Sequence, residues 1–426
     1  GSNPSAPANK MHKLSKKINF YQKIKKIFFP FYKSKNIKNL FKILEKNKSK
    51  DSQVAMFVGG SVRKFLNDEI IDDIDIATIF SPEEIKEKFK NSNFTIIDTG
   101  IEHGSITALI DLNKFEITTL RQDVETDGRH AKISFTDSWK QDSERRDFTI
   151  NAIYMDCRGK IYDPQNGIED LKNKKINFIG DPSIRIEEDY LRIIRYIRFC
   201  VQYNIKYSDP EVLGAIKRNL NGIKNLSKER VLNELYKIFK LKNINILLEN
   251  EEIKNIFLLI FPEFKYLERL KKYIFFENYT LIFCILLVDD KDNYDYFCHK
   301  YRVSNNLKKD LGFVANNYAQ SKEEKNFFKK NLKKNIYNHG KKNIKLLINF
   351  IYYAEPKFSL KLLNNLLIEV DKVEIPKFPF TVQSLIHFSI CFFLELVYIS
   401  SINPEKVLPL KISSSLLSML FSYVFV

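Results

Sequence analysis

Residues 59–78 read GGSVRKFLNDEIIDDIDIAT. Inside its apolar run, Asp73 and Asp75 stand one residue apart, shortly after a Gly-Gly pair. On a β-strand, residues two apart share a face. Asp73-Ile74-Asp75-Ile76 therefore sends two carboxylates to one side and two isoleucines to the other. Like charges at that spacing repel unless a cation lies between them or the strand is half exposed. The Gly59-Gly60 turn allows close approach of backbone to a ligand, and the helix after it offers free N–H groups to phosphate oxygens. Carboxylates on the adjacent strand can then hold Mg²⁺ bridging those phosphates. Asp-x-Asp alone is a weak signal, and the preceding Gly-Gly makes it specific. Glu116, in KFEITTLR on a neighbouring strand, is either a third carboxylate of this group or an outward-facing residue.

Outward from this stretch the pattern is mixed α and β up to about residue 180. Ile37, Leu40, Phe41 and Leu44 recur at helical spacing over 37–49. Residues 54–58 read as a strand. In SPEEIKEKFKN (81–91), Ser81 is an N-cap, Pro82 takes the first helical position, and Glu83 and Glu84 fill the first turn. Strands follow at 94–98, 105–111 and 114–120, the last two a hairpin with a Leu112-Asn113 turn. A further hairpin turns at Arg158-Gly159. After residue 181 strand signals nearly vanish. IEEDYLRIIRYIRFCVQY (186–203) predicts one long helix, SKERVLNELYKIFK predicts another capped by Ser227, and beyond 240 only helices are expected.

The chain has 426 residues, 44% of them hydrophobic and 28% charged, and a net charge of +17. This fits a globular protein of two or three domains with a polyanionic partner, nucleic acid first. Lysine is abundant throughout, so part of that charge is solvated surface. Cys157, Cys200, Cys284, Cys298 and Cys391 have no metal-ligand spacing and read as buried hydrophobes in a reducing compartment. Residues 1–10 (GSNPSAPANK), small and polar before Met11, read as an expression remnant. The basic stretch after them lacks the features of a secretory signal. From 382 onward the composition turns apolar. VQSLIHFSICFFLELVYIS (382–400) reaches membrane-spanning length, but Gln383, His387 and Glu395 favour a buried terminal helix.

Two further constellations carry chemistry. In ERRDFTINA (144–152), Arg145 or Arg146 suits phosphate charge, Asp147 can accept from sugar hydroxyls and Asn151 can donate. In EEDYLRIIRYIRF (187–199), Asp189 and Arg192 are three apart and meet on one helix face. Arg195 and Arg198 extend the row into a basic ridge. The alternative is a surface ion pair of little energetic weight. A carboxylate accepts and a guanidinium donates, so such a pair complements the edge shared by cytosine and adenine and mismatches uracil and guanine.

These stretches, with DPQNGIEDL (163–171) and SKERVLNEL (227–235), occur in the order of a known family. Residues 37–240 resemble the class II tRNA nucleotidyltransferases, the CCA-adding enzymes, which share an ancestor with bacterial poly(A) polymerases. The resemblance implies an α+β fold, with a polymerase-β-type nucleotidyltransferase head followed by an all-helical neck, body and tail. The expected divisions are 37–180 for the catalytic head, 181–240 for a neck with the nucleotide-selecting helix, and 241–426 for a tRNA-binding body and tail, atypical from 382. Position by position, Asp73 and Asp75 match the metal-binding aspartates, and Gly59, Gly60 and Arg63 the phosphate turn. Arg146, Asp147 and Asn151 match the nucleotide-contacting motif. Glu188, Asp189 and Arg192 match the nucleotide-selecting helix. Residues 121–139 resemble the family's flexible loop, with Asp127, Gly128 and Arg129 at its tip, which favours full CCA addition. Lys64 stands where the family usually has Asp, and Asn67-Asp68 replace a usual Leu-Gly.

The implied function is template-independent addition of CCA to tRNA from CTP and ATP, with two Mg²⁺ ions. No membrane and no obligate protein partner are expected, and the expected location is cytoplasmic. The rivals are a poly(A) polymerase, an A-only or CC-only enzyme, and a catalytically silent RNA-binding protein. Intact Asp73 and Asp75 argue against the last.

Overall fold

In the computed structural model, residues 30–49, 52–126, 131–272, 278–289, 291–324 and 326–374 are described. Ser34 caps the first helix, α1 (Lys35–Leu44), its side chain accepting from the Ile37 amide. The apolar stripe Ile37, Leu40, Phe41 and Leu44 is buried, as the spacing predicts. Strand β1 (Ala55–Val58) is buried along its whole length and leads into α2 (Gly60–Leu66) and β2 (Ile74–Thr78). Helix α3 (Pro82–Phe89) starts at a capping box in which Ser81 and Glu84 satisfy each other's backbone amides.

Strands β3 (Thr95–Gly100), β4 (Ser105–Ile110) and β5 (Asn113–Thr119) follow. Ile110 pairs with Asn113, so the β4–β5 turn is Asp111-Leu112, one residue earlier than expected. Asp111 takes a positive φ of 51° there, a conformation Asp tolerates in turns. Residues 121–139, expected as a flexible loop, contain β6 (Arg121–Thr126) and β7 (Ala131–Phe135), paired antiparallel as a separate two-stranded sheet. Asp127, Gly128 and Arg129 lie outside the described residues. RQDVET carries almost no apolar alternation, which is why its strand was not legible. Helix α4 (Trp139–Glu144) precedes the short strands β8 (Tyr154–Met155) and β9 (Ile161–Tyr162). The main sheet has the order β3-β4-β5-β2-β1-β8-β9. Its one parallel pairing, β2 with β5, sets Asp75 opposite Glu116.

Beyond residue 181 the described residues form no strand. After α5 (Gly167–Lys172) come α6 (Pro182–Glu188) and α7 (Leu191–Tyr203), where one long helix was expected. The break has a local and a tertiary cause. Asp189 is extended (φ −156°, ψ 101°) and its side chain accepts from the Leu191 amide, the backbone competition typical of Asp. The Tyr190 ring lies so close to Gly222 that a Cβ there would sit 2.1 Å from it. Helices α8 (Pro210–Asn219) and α9 (Lys228–Phe239) complete this region. Among the described residues, the remaining α-helices are α10 (Glu251–Ile260), α11 (Tyr279–Leu287), α12 (Asn293–Tyr301), α13 (Asn305–Glu323), α14 (Leu332–Ala354) and α15 (Leu360–Lys372).

The helical part shares its core with the end of the sheet domain. Phe148, Ile150 and Phe178 belong to the same buried cluster as Tyr196, Ile197 and Phe199 of α7. Phe178 stacks on Tyr196 with ring centroids 6.0 Å apart. This packing fixes α7 against the segment that follows α4, while the strands keep a separate core that includes Phe57, Ile76 and Phe115. Among the described residues no helix is long and apolar enough to cross a membrane. Residues 382–400 lie outside them, and so do both readings of that stretch.

Candidate active site

The Gly59-Gly60 turn, β2 and α7 enclose a cavity of about 1180 Å³. Gly59 has φ +63°, a region that side chains rarely adopt. Gly60 faces the Asp75 carboxylate closely enough that a Cβ would sit 3.5 Å from its Oδ2. The buried Ser61 hydroxyl donates to the Val58 carbonyl at 3.0 Å, pinning the turn to β1.

Asp73 and Asp75 both line the cavity. Asp73 precedes β2 and is exposed, whereas Asp75 is half-buried. Burial, reinforced by the neighbouring charges of Glu116 and Asp73, pushes the Asp75 carboxyl up to about 6, even with Arg146 and Arg63 nearby. Glu116 is exposed and accepts from Lys114 at 2.8 Å. Among the described residues no three His, Cys, Asp or Glu side chains gather into a metal cage. Asp73 and Asp75 thus present carboxylate oxygens to the cavity, and Arg146 and Arg63 offset the like-charge repulsion at Asp75 only in part. That donor set fits a hard divalent cation completed by phosphate oxygens.

Opposite the carboxylates lies a hydrogen-bonded arginine network. Arg63, 5% exposed, donates to the Tyr203 hydroxyl at 2.6 Å and to the Asn151 side-chain oxygen. Asn151 donates to Asp147 at 2.8 Å, and Asp147 also accepts from Arg195 at 2.7 Å. Burial works against the Asp147 charge, but Arg195 and the Asn151 bond hold its carboxyl well below the usual carboxylate range. Arg146 lines the cavity and is anchored by Asp142 at 2.8 Å and by the Tyr154 hydroxyl at 3.1 Å.

The expected nucleotide-selecting residues are arranged differently. Asp189 and Arg192 do not pair with each other. Arg230 of α9 donates to Asp189 at 2.8 Å, and Arg192 donates to Glu188 at 2.6 Å. None of Glu188, Asp189 and Arg192 lines the cavity, whereas Arg195, Arg198, Phe199 and Gln202 of the same region do. The basic ridge is neutralised in pairs: Arg195 by Asp147 and Arg198 by Glu234. Lys64 lines the cavity mouth and pairs with Asp72.

Three supporting residues escaped the sequence reading. Asp142, fully buried, bridges Arg145, Arg146 and Tyr154. Its spacing to the arginines, three and four along a helix, was the available signal. Glu234, 2% exposed, gathers Arg198 and Lys237. Phe199 receives the Arg63 and Arg198 guanidinium groups at 4.7 and 4.1 Å from its ring centre, a cation–π stack that no local pattern announces.

Residues 55–177 match the family described as Poly A polymerase head domain. Residues 209–267 match the one described as Probable RNA and SrmB-binding site of polymerase A. The CCA-adding enzyme of Staphylococcus saprophyticus is 33% identical over 322 residues, covering 72% of this chain and 76% of that protein. The human mitochondrial CCA tRNA nucleotidyltransferase 1 is 46% identical over 202 residues, covering 47% of this chain and 46% of that protein. The zebrafish (Danio rerio) protein of the same name is 45% identical over 194 residues, 45% of each chain. The match thus spans under half the length of these two relatives. In structure the chain is similar to the Bacillus stearothermophilus CCA-adding enzyme in complex with CTP. The TM-score is 0.61, at 22% identity over 80% of this chain and 82% of that one.

Proposed function

The chain belongs to the family of CCA-adding tRNA nucleotidyltransferases, and from that premise we propose that it adds CMP, CMP and AMP to the 3′ end of tRNA. CTP and ATP are its substrates, and no template strand is used. The observation that carries this reading is the single cavity onto which Gly59, Gly60, Asp73, Asp75, Arg146, Asp147 and Asn151 all open.

In this proposal the triphosphate lies along the Gly59-Gly60 turn, with Lys64 at the cavity mouth and Arg146 neutralising charge. Asp147 and Asn151, locked to each other and to Arg195 and Arg63, meet the sugar. Asp73 and Asp75 hold Mg²⁺, and Glu116 adds negative charge beside them. When bound, the ion supplies positive charge to the attacking and leaving oxygens. The tRNA 3′-oxygen forms a bond to the α-phosphorus as the bond from that phosphorus to the α–β bridging oxygen breaks. Pyrophosphate leaves with the electron pair, and the hydroxyl proton passes to solvent. Base choice falls to Asp189 and Arg192 once they exchange Arg230 and Glu188 for the base edge. We also propose a cytoplasmic location, although the vertebrate relatives are mitochondrial by name.

The test is extension of a tRNA lacking its CCA end, with Mg²⁺ and each nucleotide supplied singly. CTP alone is expected to add two residues, and ATP is expected to add one only after them. Asp73→Ala and Asp75→Ala are expected to abolish both steps while tRNA binding persists. Near-normal turnover in either variant would sink the assignment. A long product from ATP alone would point to a poly(A) polymerase.

A further inference from the structure

The wall of the cavity that carries the aspartates is itself acidic. Residues 64–75 (KFLNDEIIDDID) hold five carboxylates and a single cation, Lys64. Lys64, Asp68, Glu69, Asp72, Asp73 and Asp75 all line the cavity. Lys64 stands on α2 four residues after Gly60, so the two share a helix face one turn apart, about 5.4 Å along the axis. Its partner is Asp72. The carboxylates that fix the cavity's arginines are buried: the Asp142 side chain beside Arg146 is 1% exposed and that of Glu234 beside Arg198 is 2% exposed. The Asp72 side chain is 65% exposed, and its Oδ1 also accepts from the Asp73 amide at 3.0 Å. An exposed ion pair contributes little to the fold, and Asp72 keeps water and a backbone amide as partners when Lys64 leaves. Lys64 is therefore a cation on this wall that can change partner at little cost.

A triphosphate along the Gly59-Gly60 turn passes this row of carboxylates, and its negative charge is repelled there unless a cation intervenes. Beside Asp73 and Asp75 that repulsion is relieved by Mg²⁺ when it is bound. We propose that Lys64 relieves it at the far end, exchanging Asp72 for the terminal phosphate of the nucleotide, and that Asp72 reclaims Lys64 as pyrophosphate leaves. The inference rests on the nucleotidyl-transfer reading and adds to it the residue that tells a nucleoside triphosphate from a diphosphate. The contact does not touch the base, so it serves CTP and ATP alike. Lys64 occupies a position where the family usually has Asp, so the contact belongs to this chain rather than to the family.

The test is equilibrium titration of the full chain, with Mg²⁺ and without RNA, against ATP, ADP and AMP, repeated with CTP and CDP. The wild type is expected to bind each triphosphate more tightly than its diphosphate. Lys64→Ala is expected to weaken ATP and CTP by about tenfold, the worth of one bond between charged groups, and to leave ADP, CDP and AMP within about twofold. Lys64→Arg is expected to keep the triphosphate preference. Asp72→Asn, whose side-chain oxygen can still accept from the Asp73 amide, frees Lys64. It is expected to tighten ATP binding and to lower the Ki of pyrophosphate in extension assays, each by about threefold. In Lys64→Ala/Asp72→Asn that gain is expected to vanish, because Asp72 acts through Lys64. A wild type that binds ATP no better than ADP overturns the proposal. So does a Lys64→Ala variant with the wild-type ratio of ATP to ADP affinity, or one that weakens ATP, ADP and AMP equally. A gain that persists in the double variant overturns the exchange with Asp72. CCA addition by a chain whose triphosphate preference survives Lys64→Ala refutes this inference alone. A Lys64-dependent preference in a chain that adds nothing to tRNA refutes the reaction alone.

Discussion

At Asp142 a carboxylate with no exposure to water holds two arginines and a tyrosine at once. Burial disfavours its charge, yet Arg146 and Arg145 hold its carboxyl well below the ordinary 3.8. A depressed folded-state value stabilises the fold above the unfolded value, and that stabilisation is lost as pH falls through the folded one. The wild type is therefore expected to lose thermal stability progressively as pH drops below about 4. Asp142→Asn, which leaves buried guanidinium charge uncompensated, is expected to cost about 3–5 kcal/mol at neutral pH. It is also expected to flatten the acid slope, as thermal unfolding from pH 7 to pH 3 would report. An unchanged slope would mean that Asp142 does not carry this charge. Asp189 and Arg192 make the other residue-scale prediction. In the double variant Asp189→Ala/Arg192→Ala, UTP and GTP are expected to compete with CTP and ATP while transfer itself survives. Mismatched polar edges otherwise cost several orders of magnitude. Strict CTP and ATP use by that variant would reduce both residues to the ion pairs they make with Arg230 and Glu188.

The junction between α6 and α7 is where an element, rather than a residue, sets the site. Tyr190 packs over Gly222, and its neighbour Asp189 is extended and accepts from Arg230 of α9. Gly222→Ala forces the ring aside, and overpacking of that kind costs about 1–3 kcal/mol. A fall in Tm of roughly 2–10 °C, with poorer discrimination against UTP, is the expected outcome. A Tm equal to the wild type would show that the ring yields freely. This junction also marks the limit of what the sequence made legible. Helix α1 declares itself through a four-residue apolar stripe, α3 through Ser81-Pro82 and Glu84, and the strand of Asp75 through its alternation. Each of those signals is local. EEDYLRII carries helical spacing on both sides of Asp189 and contains neither Gly nor Pro, so nothing in it announced the break at which Asp189 accepts from the Leu191 amide and Tyr190 packs on Gly222. Strand β6 was hidden for a related reason: RQDVET has almost no apolar residue to alternate. That Gly59, Gly60, Asp73 and Asp75 would meet at one place was legible, and they line one cavity. Tyr203 and Glu234, which hold Arg63 and Arg195, were not, because they meet them only after folding, whereas Asp142 stands four residues from Arg146.

Across the whole molecule, a net charge of +17 coexists with arginines that are individually paired at the cavity. Affinity for RNA must then come largely from the many exposed lysines, Lys240 and Lys242 at the cavity edge among them. Release of counterions by such contacts makes affinity fall steeply with salt. Between about 50 and 200 mM the tRNA Kd is expected to rise on the order of a hundredfold. A flat response would mean the charge is not directed at RNA. Phe148 and Phe178 pack into the core of α7, and the Arg195–Asp147 and Arg63–Tyr203 contacts tie α7 to the Gly59-Gly60 turn and the segment after α4. The proposed enzyme stops at CCA with no template strand. This claim is tested most directly by giving the full chain a tRNA that lacks its CCA end, all four nucleotides together and Mg²⁺, and weighing the product RNA by mass spectrometry. The predicted product is longer by two cytidylates and one adenylate and grows no further. A mass containing U or G, a ladder of added adenylates, or an unextended tRNA would contradict the account.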